Sequence, residues 1–316
     1  MNETIISAHG LTRRYGDFTA VDNIDLDIHT GEIFGLLGTN GAGKTSTLEM
    51  LEGLAPASAG TISVFGKHPI KDRKVIRPHQ AVMLQEGGFP ADLTARETLN
   101  MWAGTLSTPL PVDETLARVD LQHRANVRVS ALSGGERRRL DLGCAIIGQP
   151  KVLFLDEPTT GLDPESRRAA WTMLREINAG GATIVITTHY LEEAEALCDR
   201  LAIMHGGRIV TSGTLAEVIA GHHSTIEFAA NAPAPAFADM TNDGNRTRVR
   251  THNLQDDLTN LLVWARKNDV VISELDVRDA SLESVFLSIA DTPASPVNSP
   301  STVNPASAHA PTSTDV

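Results

Sequence analysis

The chain has 316 residues, 41% hydrophobic and only 4% aromatic, enough for one large domain plus a smaller one packed mainly by aliphatic side chains. Its formal net charge of −12 weighs against a nucleic-acid binder, which needs a basic face, and against direct adhesion to anionic lipid, which needs clustered Lys and Arg. The densest basic cluster, the Arg run at 137–139, reads as a solvated helix face. Cys144 and Cys198 sit in separate apolar or helical stretches and read as small buried residues, which fits a reducing compartment. The opening MNETIISAHG carries no secretory pattern, and no apolar run approaches the roughly 18 residues of a membrane span. The expectation is a cytoplasmic chain that reaches any membrane through another protein.

In chain order, residues 3–37 read as strands. Ile24, Leu26 and Ile28 alternate with Asp25, Asp27 and His29, the period of a half-buried strand, and the run 33–37 reads as a fully buried one. A Gly-rich loop at 38–45 leads into a helix from Ser46. Strands are expected near 61–66 and 80–84, mainly helix from about 92 to 148, a strand at 152–155, a helix at 164–177, a strand at 183–187 and a helix at 190–198. Apolar strands alternating with helices predict an α/β domain with a largely parallel core sheet. The larger unit is expected to span 3–221. A small accessory domain with loose strand–helix–strand patterning follows at 222–290, interrupted by Pro and Ala at 231–236. The Pro/Ser/Thr/Ala tail at 291–316 has no aromatic residue and no Lys or Arg, and is expected to be disordered.

Three stretches carry chemistry. Gly38-Thr39-Asn40-Gly41-Ala42-Gly43-Lys44-Thr45 fits GxxxxGK[ST] between a strand and a helix. The glycines let the backbone curl, so that its N–H groups and the helix start converge on phosphate oxygens. Lys44 adds charge at the β- and γ-phosphates, and the Thr45 hydroxyl is placed to ligate Mg²⁺. Asp156 and Glu157 close the apolar strand KVLFLDEP, at the end where α/β sheets hold ligands. Asp156 suits a Mg²⁺ role, and Glu157 suits polarising an attacking water. Leu132-Ser133-Gly134-Gly135-Glu136 precedes a helix, with Ser133 a natural N-cap and the glycines allowing close phosphate approach.

Taken together, these residues resemble the ATP-binding subunit of an ABC transporter. GTNGAGKT matches that family's phosphate loop, LSGGE its signature and VLFLDEP its Mg²⁺ strand with catalytic Glu157. Gln85 in VMLQEGG matches the glutamine loop, Gly161-Leu162-Asp163 the loop joining two nucleotide sites, and His189 in TTHYLEEAE the switch histidine. Tyr15 matches the aromatic that stacks on adenine. The resemblance covers residues 3 to about 220. It implies the P-loop NTPase ABC ATPase fold, with a mostly parallel core sheet, an N-terminal antiparallel β subdomain and a helical subdomain, extended here by a small C-terminal α+β unit. It also implies ATP and Mg²⁺ as cofactors. Tyr15, Gly38, Asn40, Gly41, Ala42, Gly43, Lys44, Thr45 and Ser46 are expected around the nucleotide. Thr45, Gln85 and Asp156 are expected at the metal, and Glu157, His189 and Gln85 in hydrolysis. Two copies are expected to close head-to-tail, with Ser133, Gly134, Gly135 and Asp163 of one facing the nucleotide of the other. The remaining partner is an integral-membrane permease at the cytoplasmic face of the membrane, and no nucleic acid is expected.

Three further stretches, EMLEGL at 49–54, MLQEGGFP at 83–90 and SLESVFL at 281–287, are similar to bacterial multidrug exporters of the daunorubicin-resistance type. SLESVFL also reads as an amphipathic helix, with Leu282, Val285, Phe286 and Ile289 on one face. The alternatives are an importer ATPase and a non-transport ABC ATPase acting on ribosomes or DNA. The single cassette and the lack of sustained heptads weigh against the second.

Overall fold

The computed structural model describes residues 3–84, 88–232, 235, 237, 239–243 and 246–290. Gln85, half of the Pro/Ala interruption and the 291–316 tail lie outside the described residues.

The chain opens with β1 (Thr4–Tyr15) and β2 (Phe18–His29), paired antiparallel, with β4 (Ala59–Val64) on the other side of β1. In β2 the apolar members of the alternating pattern, Ile24, Leu26 and Ile28, are buried while Asp25 and Asp27 are exposed. β3 (Ile33–Gly38) precedes β4 in the chain, is buried throughout, and runs through the Gly-rich loop into α1 (Lys44–Glu52).

A short helix α2 (Arg73–Ile76) precedes β5 (Gln80–Met83). A helical arm follows: α3 (Ala95–Ala103), α4 (Val112–Arg118) and α5 (Gly134–Ile146). Each of α3 and α5 begins with a reciprocal cap, Thr94 with Glu97 and Ser133 with Glu136, which satisfies N–H groups that a helix start leaves without partners. The chain then alternates: β6 (Val152–Asp156), α6 (Pro164–Ala179), β7 (Thr183–Thr188), α7 (Leu191–Leu197), β8 (Arg200–His205), β9 (Arg208–Thr214) and α8 (Leu215–Ala220).

The central sheet has the order β5-β6-β7-β3-β8-β9, parallel except for the β8–β9 pair. Its strands feed two cores. Ile33, Leu37, Leu153, Leu155, Ile184 and Ile186 enter the core shared with the helical arm and α7. Phe34, Leu36, Val152, Phe154 and Val185 enter the core shared with α1 and the antiparallel sheet. Burial on both faces explains why these segments read as unbroken apolar runs. Because β3, β6 and β7 are parallel, Gly38, Asp156 and Thr188 end at one edge, and that edge carries the site.

The last segment contains β10 (Ser224–Ala230), β11 (Asp239–Asp243), β12 (Arg246–Thr251), α9 (Leu254–Lys267), β13 (Ile272–Arg278) and α10 (Leu282–Ala290). Its antiparallel sheet, ordered β11-β12-β10-β13, has its own small core of Ile226, Phe228, Val249 and Leu261. The SLESVFL helix, α10, does not join that core. Leu282, Val285 and Ile289 are buried in the large core with α7 and α8, and Phe286 packs against it. The chain thus leaves the cassette to build a sheet and returns to pack its end on the cassette. No helix among the described residues is long and apolar enough to cross a membrane.

Candidate functional site

The phosphate-loop backbone is set by close approach as much as by curvature. Gly43 has φ +103°, and a Cβ there would lie 2.5 Å from the Ala20 carbonyl oxygen. A Cβ on Gly38 would lie 2.6 Å from the Met204 carbonyl oxygen, so neither position accepts a side chain without a backbone shift. The loop opens on a pocket of about 420 Å³ lined by Asn40, Gly41, Gly43, Lys44, Thr45 and Ser46. Tyr15, Phe18 and Ala20 form one wall and Glu157 another. Tyr15 is 45% exposed, stands at the rim and has the Arg13 guanidinium 4.6 Å from its ring centre, so it is not a strand core residue.

Lys44 is buried, and its Nζ donates to the carbonyl oxygens of Gly38 (2.8 Å) and Thr39 (3.2 Å). Nζ also lies 3.7 Å from Glu157 Oε1. Burial pulls the ammonium below its ordinary pKa, and Glu157 and Asp156 oppose that pull. The Thr45 hydroxyl donates to Asp156 Oδ2 at 3.2 Å. Asp156 also accepts from the Thr187 hydroxyl. Cross-strand pairing of Asp156 with Thr187 fixes that contact.

Glu157 is a non-glycine residue at φ +45°, in the left-handed region that side chains disfavour. Its N–H is held by the Thr187 carbonyl (3.2 Å) and the Thr187 hydroxyl (3.0 Å), and Thr160 donates to Oε2 at 3.2 Å. The strained backbone turns the carboxylate toward Lys44 and toward His189, whose Nδ1 is 3.1 Å from Oε1. That approach is close but off the line of a hydrogen bond, so His189 Nδ1 is buried with no hydrogen-bond partner among the described residues. The ring of Tyr190 lies tilted 4.1 Å from the His189 ring, and Arg167 sits 4.5 Å over Tyr190.

Ser133, Gly134, Gly135 and Asp163 are not among the residues lining this pocket. Ser133 and Gly134 are exposed at the start of α5, and a Cβ added to Gly134 would meet nothing within 4 Å. Asp163 caps α6, accepting from Glu165 N and Ser166 N at 3.0 Å and from the Ser166 hydroxyl at 2.6 Å. These bonds, the Ser166 hydroxyl first, hold its carboxyl below the ordinary range. A Cβ on Gly135 would lie 2.8 Å from Ser166 Oγ, so the signature start and the Asp163 cap pack through one serine.

The solvated reading of the 137–139 Arg run is wrong for Arg138, whose side chain is 10% exposed. It donates to the carbonyls of Pro158 (2.6 Å), Leu84 (2.8 Å), Asp156 (3.1 Å) and Glu157 (3.1 Å). Arg139 pairs with Asp120, and only Arg137 of the three is classed as exposed. Arg138 therefore ties α5 to the turn at the end of β6. Its position on the inner side of α5 depends on tertiary packing, which a cluster of like charges cannot reveal. Both cysteines are buried, as read, and burial pushes the Cys144 thiol up to about 12.

A family model described as ABC transporter matches residues 21–160, and one described as the C-terminal domain of ABC transporter domain-containing protein-like chains matches residues 227–281. The daunorubicin resistance ATP-binding protein DrrA3 of Streptomyces coeruleorubidus is 39% identical over 69% of this chain and 71% of its own length. The Nod factor export ATP-binding protein I of Cupriavidus metallidurans is 36% identical over 90% of this chain and 97% of its own. Among solved structures, an ATP binding subunit of an ABC transporter is 29% identical with TM-score 0.61, covering 68% of this chain and 92% of that one. Clostridium perfringens cbiO1, part of the ABC transporter complex cbiONQ, is 29% identical with TM-score 0.62, covering 69% and 91%.

Proposed function

The chain belongs to the ABC transporter family as an ATP-binding subunit, an ATPase coupled to transport, and from that premise we propose that it powers export of a drug-like or other small molecule through a separate integral-membrane permease. The observation that carries the chemistry is that Glu157 Oε1, which with Lys44 lines the phosphate-loop pocket, lies 3.7 Å from Lys44 Nζ and 3.1 Å from His189 Nδ1. The export direction is supported by relatives named for daunorubicin resistance and Nod factor export, one of which matches nearly end to end.

In this reading the pocket holds ATP, with the adenine against Tyr15 and the phosphates against Asn40, Gly41, Ala42, Gly43, Lys44, Thr45 and Ser46. Thr45 and Asp156 would hold Mg²⁺. Their hydroxyl and single carboxylate suit an ion that completes its shell with phosphate oxygens and water. When bound, the metal supplies neutralisation of phosphate charge. Without phosphate, Lys44 Nζ rests on two carbonyls and near Glu157, and it exchanges part of that set for phosphate oxygens. Glu157 positions and polarises the attacking water, and its strained backbone keeps the carboxylate aimed while Thr187 and Thr160 hold it. His189, adjacent to Oε1 and with an unspent Nδ1, orients Glu157 and reaches toward the terminal phosphate. Gln85 joins this set as a sensor of metal or water.

Two copies close head-to-tail in this proposal. Exposed Ser133 and Gly134, with Gly135 and Asp163, then complete the partner's pocket. Their absence from the lining of the same chain's pocket supports a role in trans. The assembly works at the cytoplasmic face of the membrane.

Glu157→Gln tests this directly. Phosphate release is expected to fall by roughly 10²–10⁴-fold while ATP binding persists and the dimer accumulates in sizing experiments. Hydrolysis at the wild-type rate would remove Glu157 from the role assigned to it.

A further inference from the structure

Glu193 is a fully buried carboxylate that does not line the phosphate-loop pocket. Its Oε1 accepts from two donors, the Thr159 hydroxyl at 2.7 Å and the Trp171 indole N–H at 3.1 Å. Its Oε2 is buried with no hydrogen-bond partner among the described residues. Burial pulls the Arg138 guanidinium below its ordinary pKa, and Asp141, Asp156 and Glu193 oppose that pull, so Arg138 and Glu193 sense each other's charge. A carboxylate placed this deep gives up its hydration and regains only part of it from two donors. A hydrocarbon side chain of similar volume would pack there without that loss. What the carboxylate supplies and a hydrocarbon does not is direction.

Its two donors belong to the segments that surround the hydrolytic groups. Thr159, itself fully buried, follows Glu157 and Pro158 in the turn whose Thr160 hydroxyl donates to Glu157 Oε2 at 3.2 Å. The Thr159 carbonyl accepts the Leu162 N–H at 3.2 Å, just before Asp163. Trp171 belongs to α6, the helix that Asp163 caps. Glu193 itself lies in α7, which opens at Leu191, just after His189 and Tyr190. One oxygen therefore pins the turn after Glu157, the helix capped by Asp163 and the helix that follows His189. The ladder between β6 and β7 cannot do this, because its last pair is Asp156 with Thr187, short of both the turn and His189.

We propose that Glu193 is a positioning residue for hydrolysis: through Thr159 and Trp171 it fixes the Glu157 turn against the His189 segment and so sets the 3.1 Å approach of His189 Nδ1 to Glu157 Oε1. This role rests on the hydrolytic roles proposed for Glu157 and His189. A misplacement of about 1 Å between reacting groups costs about a hundredfold in rate. Because Glu193 stands apart from the phosphate-loop lining, its loss acts on turnover and leaves nucleotide binding in place.

The experiment measures steady-state ATP hydrolysis, nucleotide affinity and thermal unfolding for variants of the full chain. Glu193→Leu removes both bonds and is expected to lower kcat by about 10–100-fold, with KM and the Kd for ATP within about twofold of wild type. Glu193→Gln keeps an acceptor oxygen for both donors and is expected to bring kcat back to within about threefold. Thr159→Val and Trp171→Phe each remove one donor and are expected to lower kcat by about 3–10-fold at unchanged KM; they carry the test should Glu193→Leu not fold. Wild-type kcat in Glu193→Leu, or in both donor variants, overturns the proposal. So does a Gln variant as slow as the Leu variant, or a loss of kcat that is matched by ATP affinity and tracks the folded fraction, which would leave Glu193 a packing residue. Glu157→Gln in the same assay keeps the two readings apart. Wild-type hydrolysis there removes the role of Glu157 and that of Glu193 with it, whereas an inactive Glu157→Gln beside fully active Glu193 variants removes the role of Glu193 alone.

Discussion

In the central sheet every residue of β3, β6 and β7 is buried, whereas in the C-terminal sheet β11 and β13 contain no fully buried residue. The first is covered on both faces, and the second relies on α9 and a core of four buried apolar side chains. A sheet packed on both faces holds strand ends in fixed register, and the site needs that from Gly38, Asp156 and Thr187. A sheet with so small a core has little stability of its own. The return of α10 to the cassette core anchors the far end of that segment.

The sharpest way to break the comparison is a matched pair of truncations. Phe154→Ala, in β6 beneath Asp156, is expected to destabilise the whole cassette by about 3–5 kcal/mol in denaturant titration and to abolish ATP binding well before the wild-type midpoint. Phe228→Ala removes a side chain equally buried, but its loss is expected in the C-terminal sheet, with ATP binding intact. If both variants lower one shared transition equally, the two regions form a single cooperative unit.

Arg138→Ala tests whether the strand-end edge that carries the candidate site owes its rigidity to α5. Four carbonyls lose a charged donor, with an expected cost of about 2–3 kcal/mol and a fall in hydrolysis rate. Arg137→Ala, on the exposed side of the same run, should stay within about 0.5 kcal/mol.

Glu52 sharpens the comparison through pH. Its carboxyl is 3% exposed, and burial, then Asp156, then Glu49, raise its pKa from 4.5 to about 8. Between those values the folded protein keeps a proton that the unfolded chain has released. Stability from this group is therefore lost as pH rises from about 4.5 to 8 and levels off above. Glu52→Gln is expected to flatten that slope and to raise stability at pH 8 by roughly 1–3 kcal/mol, with no gain at pH 4. Thermal melts across this window check it, and an unchanged slope would exclude Glu52 as its source.

The smallest effect expected of a buried side chain concerns α10. Val285→Ala removes two buried methyl groups from the large core and should cost about 1–2 kcal/mol. The loss should appear in the cassette transition that follows ATP binding. Loss confined to the C-terminal sheet would show that α10 is not an anchor.

The phosphate loop and the Asp156-Glu157 strand end were legible in the sequence because their chemistry depends on local order: glycines, then Lys and Thr at a helix start, and acids closing an apolar run. The buried strands were legible because full burial leaves an unbroken apolar stretch. Arg138 was not, because three consecutive arginines look alike until packing selects one. Nor was the destination of α10, since an amphipathic face states that it must be covered and not by what. Glu157's positive φ was equally hidden, as no residue type announces it.

By itself, then, the sequence determined the α/β class, the order of elements through the cassette and the identity of the groups gathered at the candidate site. Local backbone and side-chain chemistry specifies those. Only the tertiary structure decided which residues meet: Glu157 between Lys44 and His189, Ser133 and Asp163 away from the pocket that Lys44 and Glu157 line, and α10 in the cassette core. These depend on contacts between residues far apart in the chain, and sequence spacing carries no distance for such pairs.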